Sequence, residues 1–297
     1  MIVTKWLPFS YILDKIKIPL VVVAVVAAIV NALPIYLGDR LPEIPINLAT
    51  TLGIAISILL SFKIGQSYDR WWEARKIWGA IVNDSRTLLL QLQLYLPDGH
   101  PAVREMGHRQ IAWCYALGRS LRGQDPLPEL DGLLPAGELD GLRPHKNVPL
   151  KLLADHTRTL KQLSTDELLD SFARLQLEET VERLTASMGK CERIKNTVFP
   201  TNYRKGLHAA IYLFVIFLTL ALPLHLVYWL EVAIILVVAM IFFYLEKAAV
   251  LLQDPFENLP TDTPVTAIAR TIDINLRQLL GETELPPKLE QEDFYLM

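Results

Sequence analysis

The sequence of 297 residues is poor in cysteine and has no excess of positive charge. Its two cysteines, Cys114 and Cys191, are too few for a disulfide framework or for a metal site with four thiolate ligands. Lysine and arginine number 29 against 32 aspartates and glutamates, a net charge of -3, which argues against a basic nucleic-acid binder. We therefore expect no nucleic-acid partner.

The sequence also lacks the motifs of common catalytic sites. It contains no Walker A loop, no HExxH metal motif, no CxxC pair and no GxSxG elbow. Its six histidines are scattered along the chain, and we find no nucleophile with a matching base. The sequence therefore predicts that the chain is not an enzyme and carries neither a cofactor nor a metal.

Apolar residues are abundant. They make up 52% of the chain, and the mean hydropathy is +0.28, which excludes intrinsic disorder. A membrane helix needs about 20 apolar residues. Four stretches approach or reach that length, at residues 18–37, 44–62, 206–230 and 232–245, and we number them spans one to four. Span four is short, and it reaches full length if its helix continues to Leu252, which places Glu246 near one membrane face.

Lysine and arginine flank these spans unequally. Eight of them lie on one side: Lys5, Lys15, Lys17, Lys63, Arg70, Arg204, Lys205 and Lys247. The short connections on the other side, 38–43 and 224–231, hold only Arg40. Because positive charge stays in the cytoplasm, we expect a multi-pass protein of the plasma membrane with both termini and the long middle segment in the cytoplasm.

The periodicity of the polar segments predicts helices rather than strands. The helices are expected at 66–96, continuing span two, and at 101–122, 165–197 and 265–281, with a loop at 123–149 that leaves room for one short helical turn. Thr165 or Asp166 is the expected N-cap of the third helix. The apolar residues expected on one side of that helix are Leu168, Leu169, Phe172, Leu175 and Leu184. The fold class is therefore all-α, with two N-terminal and two C-terminal transmembrane helices and a helical cytoplasmic region. The expected divisions are 1–65, 66–203, 204–252 and 253–297.

Span two carries two rows of side chains that recur every four residues. A four-residue step turns a helix by about 400°, so each row stays on one face. One row is small and lets helices approach closely in lipid: Ala49, Gly53, Ser57, Ser61 and Gly65. The neighbouring row consists of Thr50, Ile54, Ile58, Phe62 and Gln66.

Periodicity alone leaves two interpretations of the second row open. The row packs against other spans of its own chain, or it faces the axis of an oligomer. In the second case, rings of Ile54, Ile58 and Phe62 form a hydrophobic constriction of the kind that gates by dewetting. Four spans are too few to enclose an ion path comfortably within one chain. A cyclic oligomer encloses one by repeating a single interface between its subunits.

The sequence resembles the bestrophin family in its bacterial branch. The resemblance is carried by residues 53–79, GIAISILLSFKIGQSYDRWWEARKIWG, and most specifically by the block from Arg70 to Arg75. It extends essentially over the whole chain, including the arrangement of two spans, a long insertion and two spans. Further matching positions are Asn83, Arg86, Pro200, Tyr203 and the run Asp254-Pro255-Phe256-Glu257-Asn258.

The resemblance implies a homopentameric ion channel in membrane lipid, passing small inorganic ions through one central pore. It implies that span two lines a narrow neck, with Ile54, Ile58 and Phe62 as the three hydrophobic rings. Our candidates for the pore mouth and vestibule are Thr50, Gln66 and Asp69.

The resemblance also implies a second constriction at the cytosolic exit, just before span three. Its candidate residues are Phe199, Thr201 and Asn202. We interpret the block after span two as structural, with tryptophans at the membrane interface and charges that pair between subunits. Its members are Arg70, Trp71, Trp72, Glu73 and Arg75.

Animal members of the family carry a calcium clasp after the Pro-Phe pair. The matching positions here are Asp254, Glu257 and Asp262, with Leu259 and Pro260 between them. Calcium takes six to eight oxygen ligands, commonly from several carboxylates. We therefore interpret these positions as vestigial and expect no calcium gating.

The function predicted from the sequence is passive conduction of small monovalent ions. The resemblance slightly favours conduction of chloride and other anions, because the family contains anion-conducting members. The alternative is conduction of a monovalent cation such as sodium. Two alternatives are a secondary transporter and a membrane-tethered scaffold that binds a soluble partner through the loop at 123–149. The sequence identifies no such soluble partner.

Overall fold

The computed structural model of the chain describes residues 9–37, 44–197, 200–222, 228–291 and 294–296. Every element in these residues is helical, which confirms the all-α prediction. The helices are α1 (Phe9–Leu37), α2 (Ile46–Tyr95), α3 (Pro101–Leu121), a short 3-10 helix (Leu127–Glu129), α4 (Ala136–Leu142), α5 (Val148–Thr165), α6 (Ser171–Asn196), α7 (Thr201–Ala221), α8 (Tyr228–Gln253) and α9 (Val265–Leu279).

Four of these helices are long and apolar enough to cross a membrane. The candidate spans are Leu13–Leu33, Ile46–Tyr95, Asn202–Ala221 and Trp229–Gln253. They confirm the four predicted spans, including the extension of the fourth past Leu252. The helix predicted at 66–96 is the continuation of α2, as expected from the absence of proline and glycine between Gln66 and Gly79. The chain is a membrane protein.

The chain divides into two compact units. We call Thr4–Arg70 with Val198–Asp254 the apolar unit, and Trp71–Thr197 with Pro255–Met297 the polar unit. The tail helix α9 thus belongs to the same unit as the long middle segment. The division into four parts stays a prediction.

The core of the apolar unit is a bundle of α1, α7 and α8, joined by one face of α2. α1 packs against both α7 and α8, and these two pack on each other. The helices α1 and α8 are apolar almost all round, as expected for helices surrounded by lipid or by other helices. The most deeply buried side chains include Val23, Ile56, Ile211, Ala239 and Phe243.

One ion pair is buried in the apolar unit. Lys63 Nζ of α2 donates to Glu246 Oε1 of α8 at 2.9 Å. The two side chains are 0% and 5% exposed, and His208 Nδ1 of α7 lies 3.8 Å from the other carboxylate oxygen. The count of flanking positive charges places Lys63 in water at the end of its span. In the structure Lys63 lies inside the bundle instead, where Glu246 neutralises its charge.

In the polar unit, α3 is the central helix. Almost every residue from Met106 to Leu117 is buried, because α5, α6 and α9 pack around it. The N-terminus of α3 follows its sequence signals, with Pro101 in the first turn and His100 Nδ1 accepting a hydrogen bond from Ala102 N. The buried cysteines Cys114 and Cys191 have free thiols, and burial raises the pKa of each to about 12.

The prediction for residues 123–197 was wrong in three details. The loop at 123–149 contains two short helices, the 3-10 helix and α4, where room for one helical turn was expected, and α5 was not predicted at all. The N-cap of α6 is Asp170, whose carboxylate accepts from Ala173 N at 2.7 Å. Asp166 instead ends α5, and Glu167 has a φ of 61°, which interrupts the helix between them.

The predicted apolar face of α6 is also divided. Leu169 and Leu184 are buried, whereas Phe172 is 82% exposed and Leu175 is 60% exposed. Helix geometry explains the error: at about 100° per residue, Leu175 lies about 180° and Phe172 about 120° around the helix from Leu184, so neither shares its buried face.

The turn between α8 and α9 is held by a buried carboxylate. Asp262 is fully buried, and its Oδ2 accepts from Leu259 N at 3.1 Å. Burial raises the pKa of Asp262 to about 6, against the opposing effect of that backbone N–H.

Truncation of Glu246 is expected to destabilise the chain strongly. Glu246→Leu leaves the Lys63 ammonium buried without a partner, which costs about 3–5 kcal/mol. The double variant Lys63→Met/Glu246→Leu should recover much of that loss, because it removes both charges. The measurement is thermal unfolding in detergent, followed by tryptophan fluorescence. The control is Glu178→Gln, which breaks the exposed pair with Arg174. Equal losses in the double and single variants would contradict the prediction.

Asp262 is expected to make stability fall as pH rises. Its pKa lies above the ordinary 3.8, so between about pH 4 and pH 6 the folded state binds more protons than the unfolded state. Stability therefore decreases through this window, by about 3 kcal/mol at most. Asp262→Asn should lose this part of the pH dependence and gain stability at pH 7. Melting temperatures from pH 4.5 to 7.5 test it, with exposed Asp140→Asn as control, and identical pH slopes for wild type and Asp262→Asn would refute it.

Candidate pore-lining site

One face of α2 is buried within the apolar unit. Its spacing of seven, four, three and four residues keeps the buried positions on a single helical face. They are Ala49, Ile56, Leu60, Lys63 and Ser67. This face is neither of the two rows recognised in the sequence, although it shares Ala49 with the small row.

Contacts at four levels fix the rotation of α2. Near its start, a Cβ on Gly53 would lie 3.0 Å from the Phe214 ring of α7, so only glycine permits this approach without a shift. Further along, Tyr203 Oη donates to the carbonyl of Leu59 at 2.8 Å. The Lys63–Glu246 pair follows, and then Arg70 Nε donates to the carbonyl of Gln253 at 2.9 Å, at the C-terminus of α8.

The ion pair also sets the direction of Phe62. Successive residues of an α-helix point about 100° apart. Because Lys63 is anchored toward α8, the preceding side chain is turned away from that contact. Phe62 is accordingly 65% exposed, next to a lysine that is 1% exposed.

The candidate neck row lies on the exposed surface of this chain. Ile54 is 58% exposed and Ile58 is 51% exposed. Thr50 and Gln66 continue the row at its two ends and are exposed as well, as is Asp69. The Thr50 hydroxyl donates to the carbonyl of Ile46 at 3.0 Å, so it is satisfied within its own helix. None of the three apolar residues is buried by another helix of the apolar unit.

The small row lines a shallow groove beside the neck row. The groove has a volume of about 580 Å³ and lies between α2 and the Phe214 and Phe242 side chains of α7 and α8. The small row packs within the chain only at its start. Ala49 is buried and Gly53 contacts Phe214, whereas Ser57 and Ser61 stay exposed along the groove.

The block after span two binds within its own chain. Arg70 Nη2 lies 3.6 Å from Asp254 Oδ1, and Trp71 Nε1 donates to the carbonyl of Thr261 at 3.0 Å. Arg193 Nη2 donates to Glu73 Oε1 at 2.7 Å. The Trp72 side chain is 45% exposed, and Arg75 is partly exposed. The pairing of these charges between subunits stays a prediction.

The candidate cytosolic aperture is described only in part. Phe199 and the Thr201 side chain lie outside the described residues. Asn202 is exposed in the first turn of α7. The choice between these residues stays a prediction.

The three positions that match the calcium clasp are engaged separately. Asp254 Oδ2 accepts from Gln253 Nε2 at 3.1 Å, and Glu257 pairs with Lys195 at 2.6 Å. Asp262 binds the Leu259 backbone, as described above. Within the described ranges, no three His, Cys, Asp or Glu residues are grouped so that they could hold a metal ion.

The role of Lys63 in orienting the site was not predicted from the sequence. In the sequence, Lys63 is a charge at the end of span two, and Glu246 is expected near a membrane face. The signal that was available is the presence of two opposite charges inside apolar stretches, since ionisable residues within membrane segments usually pair with one another.

Comparisons with known proteins place this geometry in a family. The chain matches the family model described as bacterial/fungal bestrophin protein over residues 6–278. The crystal structure of a bacterial bestrophin homolog from Klebsiella pneumoniae has the same fold, with a TM-score of 0.85 and 27% sequence identity. That likeness covers 91% of this chain and 100% of the other.

Two bacterial relatives are both named voltage-dependent anion channel-forming protein. YneE of Escherichia coli (strain K12) is 31% identical over 270 residues, which are 90% of this chain and 87% of that protein. RSc3414 of Ralstonia nicotianae is 32% identical over 263 residues, which are 85% of this chain and 84% of that protein. These findings confirm the prediction that the chain is not an enzyme. The chain belongs to the bestrophin family, in its bacterial and fungal branch.

Proposed function

We propose that this chain is the subunit of a homopentameric channel of the plasma membrane that passes small monovalent ions passively. The observation that carries the proposal is the exposed apolar row of Ile54, Ile58 and Phe62 on a helix whose opposite face is locked into the bundle. The bestrophin family and the channel names of the relatives support it. Both termini and the polar unit lie in the cytoplasm in this proposal.

The mechanism follows from the chemistry of the row. Five copies of α2 around an axis bring three apolar rings together, at successive levels about 6 Å apart along the helix. Such rings offer no hydrogen bonds or charges to an ion, so permeation depends on the width of the neck and on the energy of removing water from the ion. Weakly hydrated ions therefore pass more easily.

The buried ion pair keeps the apolar rings in place during conduction. A rotation of α2 that turned Phe62 away from the axis would separate Lys63 from Glu246 inside the bundle, at a cost of several kcal/mol. The neck is therefore a rigid part of the channel in this proposal. The sign of the permeant ion is decided where polar and charged groups face the path, at Thr50, Gln66 and Asp69.

Truncation of the neck is expected to raise conductance. Ile58→Ala and Phe62→Ala each widen the apolar constriction and lower the dehydration barrier, so single-channel conductance in planar bilayers should increase severalfold. The control is Ile241→Ala on α8, which truncates a side chain that is also exposed, at 52%. Unchanged currents in both neck variants, with normal assembly, would show that this row does not face the ions.

The channel is expected to favour chloride over sodium. In a sodium chloride gradient, the reversal potential should lie closer to the equilibrium potential of chloride than to that of sodium. Asp69→Asn should move it further toward chloride, because it removes a negative charge at the proposed vestibule wall. Asp69→Glu is the matched control and should leave the potential near the wild-type value. A reversal potential near the equilibrium potential of sodium would overturn the anion preference.

A further inference from the structure

The two sides of the neck row have different shapes. On one side of Ile58 lies the groove of about 580 Å³ between α2 and the aromatic side chains of α7 and α8. Ser57 and Ser61 form its α2 wall and are exposed. The opposite wall is well packed, because the Phe214 and Phe242 rings meet edge to face with their centroids 5.3 Å apart. This side of α2 is therefore concave.

The other side of the neck row is a convex ridge of α2. It consists of Leu48, Ala55 and Leu59, whose spacing of seven and four residues keeps them on one helical face. All three are exposed, and the two leucines are 47% and 41% exposed. We call these three residues the α2 ridge.

The groove can be covered by apolar atoms without leaving the Ser57 hydroxyl unpaired. This hydroxyl donates to the carbonyl of Gly53, one turn back in the same helix, at 2.8 Å. Burial of a hydroxyl is costly mainly when its hydrogen bond is lost. The Ser57 side chain therefore behaves as a small side chain that tolerates a dry contact.

Helix geometry places the two surfaces where neighbouring copies lie. This step rests on the proposed function, in which Ile58 points to the pore axis. In a ring of five parallel helices, each neighbour lies about 54° to one side of the direction to the axis. At about 100° per residue, Ser61 and Ser57 lie about 60° and 100° from Ile58 on one side. Ala55 and Leu59 lie at about the same two angles on the other side.

We propose that the groove of each chain receives the α2 ridge of the next copy. Ser57 and Ser61 of one chain then pack against Ala55 and Leu59 of its neighbour. Because the two surfaces differ, the contact is heterologous, and a contact of that kind closes into a ring when the rotation fits. A lipid chain in the groove would leave the ion path open to the bilayer between adjacent helices, whereas a second copy seals it.

The small side chains at this contact also set the width of the neck. Packed helices lie about 8–10 Å apart, which in a ring of five places each helix axis about 7–8.5 Å from the pore axis. Serine and alanine permit the closer end of that range. The contact therefore holds the three apolar rings at a narrow radius.

The test is disulfide cross-linking of the full chain in membrane vesicles. The double variant Ser61→Cys/Leu59→Cys carries one thiol on each surface, and residues two apart do not face each other on a helix, so they cannot pair within one chain. Cys114 and Cys191 are buried, which raises the pKa of each to about 12, so they do not compete. Oxidation with copper phenanthroline should move most of the chain into a ladder of bands that ends at five copies.

The matched controls separate a heterologous contact from other arrangements. Ser61→Cys and Leu59→Cys alone should each stay monomeric on the gel, because the contact joins different surfaces. Expressed together, the two single variants should give dimers and nothing larger, because each chain then carries one thiol. In the double variant, Ile241→Cys in place of Ser61→Cys moves the thiol to an exposed position of α8 and should abolish the ladder.

Size-exclusion chromatography before oxidation checks that the variants assemble. If Leu59→Cys does not, Ser57→Cys/Ala55→Cys tests the same contact with smaller changes. An assembled particle without a ladder would overturn the proposal, and so would a ladder that ends at the dimer or cross-linking of either single variant.

The result also distinguishes this contact from the proposed function. If cross-linking fails while Ile58→Ala raises conductance, the neck stands and the proposed contact is wrong. If the ladder forms while the neck variants leave the currents unchanged, the contact stands and the ions take another path.

Discussion

The arrangement of the candidate pore depends on one buried ion pair. Lys63 on α2 meets Glu246 on α8 inside an apolar bundle, where an unpaired charge is strongly disfavoured. A pair of this kind adds little to stability compared with two apolar side chains, but it accepts only one rotation of the helix. Since α2 is apolar or small on most of its circumference over residues 46–62, hydrophobic packing alone would specify that rotation weakly. The charges supply the specificity.

The same division between anchoring and exposed faces explains the chemistry of the site. Along its length, α2 contacts α7 and α8 through a close glycine approach, a tyrosine hydroxyl and two charged side chains. The exposed face carries only apolar and small uncharged side chains from Ile54 to Ser61, followed by Phe62. A surface of this kind binds no ion tightly, and this is what rapid passage of ions requires.

The polar unit is organised by different interactions. Its central helix α3 is surrounded by apolar faces, while polar groups are satisfied mainly around its ends and along the tail. Arg109 binds Glu138 and Thr159, and His108 with Arg104 binds Glu282 beyond α9. Some buried donors of this unit lack a partner among the described residues, among them two of Arg122 and one each of Arg119 and Arg270.

Local patterns in the sequence were enough to predict the four spans, the all-helical class, the continuation of span two into a long polar helix and the family. These features follow from the length of apolar runs, from periodicity and from a specific block of residues around Trp71 and Trp72. The same local signals misplaced the start of α6, because Thr165, Asp166 and Asp170 are all good caps and only packing chooses among them. They also missed α5, although Asn147 caps its start and Pro149 stands in its first turn.

The tertiary structure alone decided which face of α2 is buried. In the sequence, Lys63 is a positive charge at the end of an apolar run, and Glu246 lies 183 positions further along. Nothing local indicates that they meet, because the distance between two residues in space is set by how the helices between them pack. The same reason applies to Arg122 and Thr266, which meet in a hydrogen bond because α3 and α9 lie side by side.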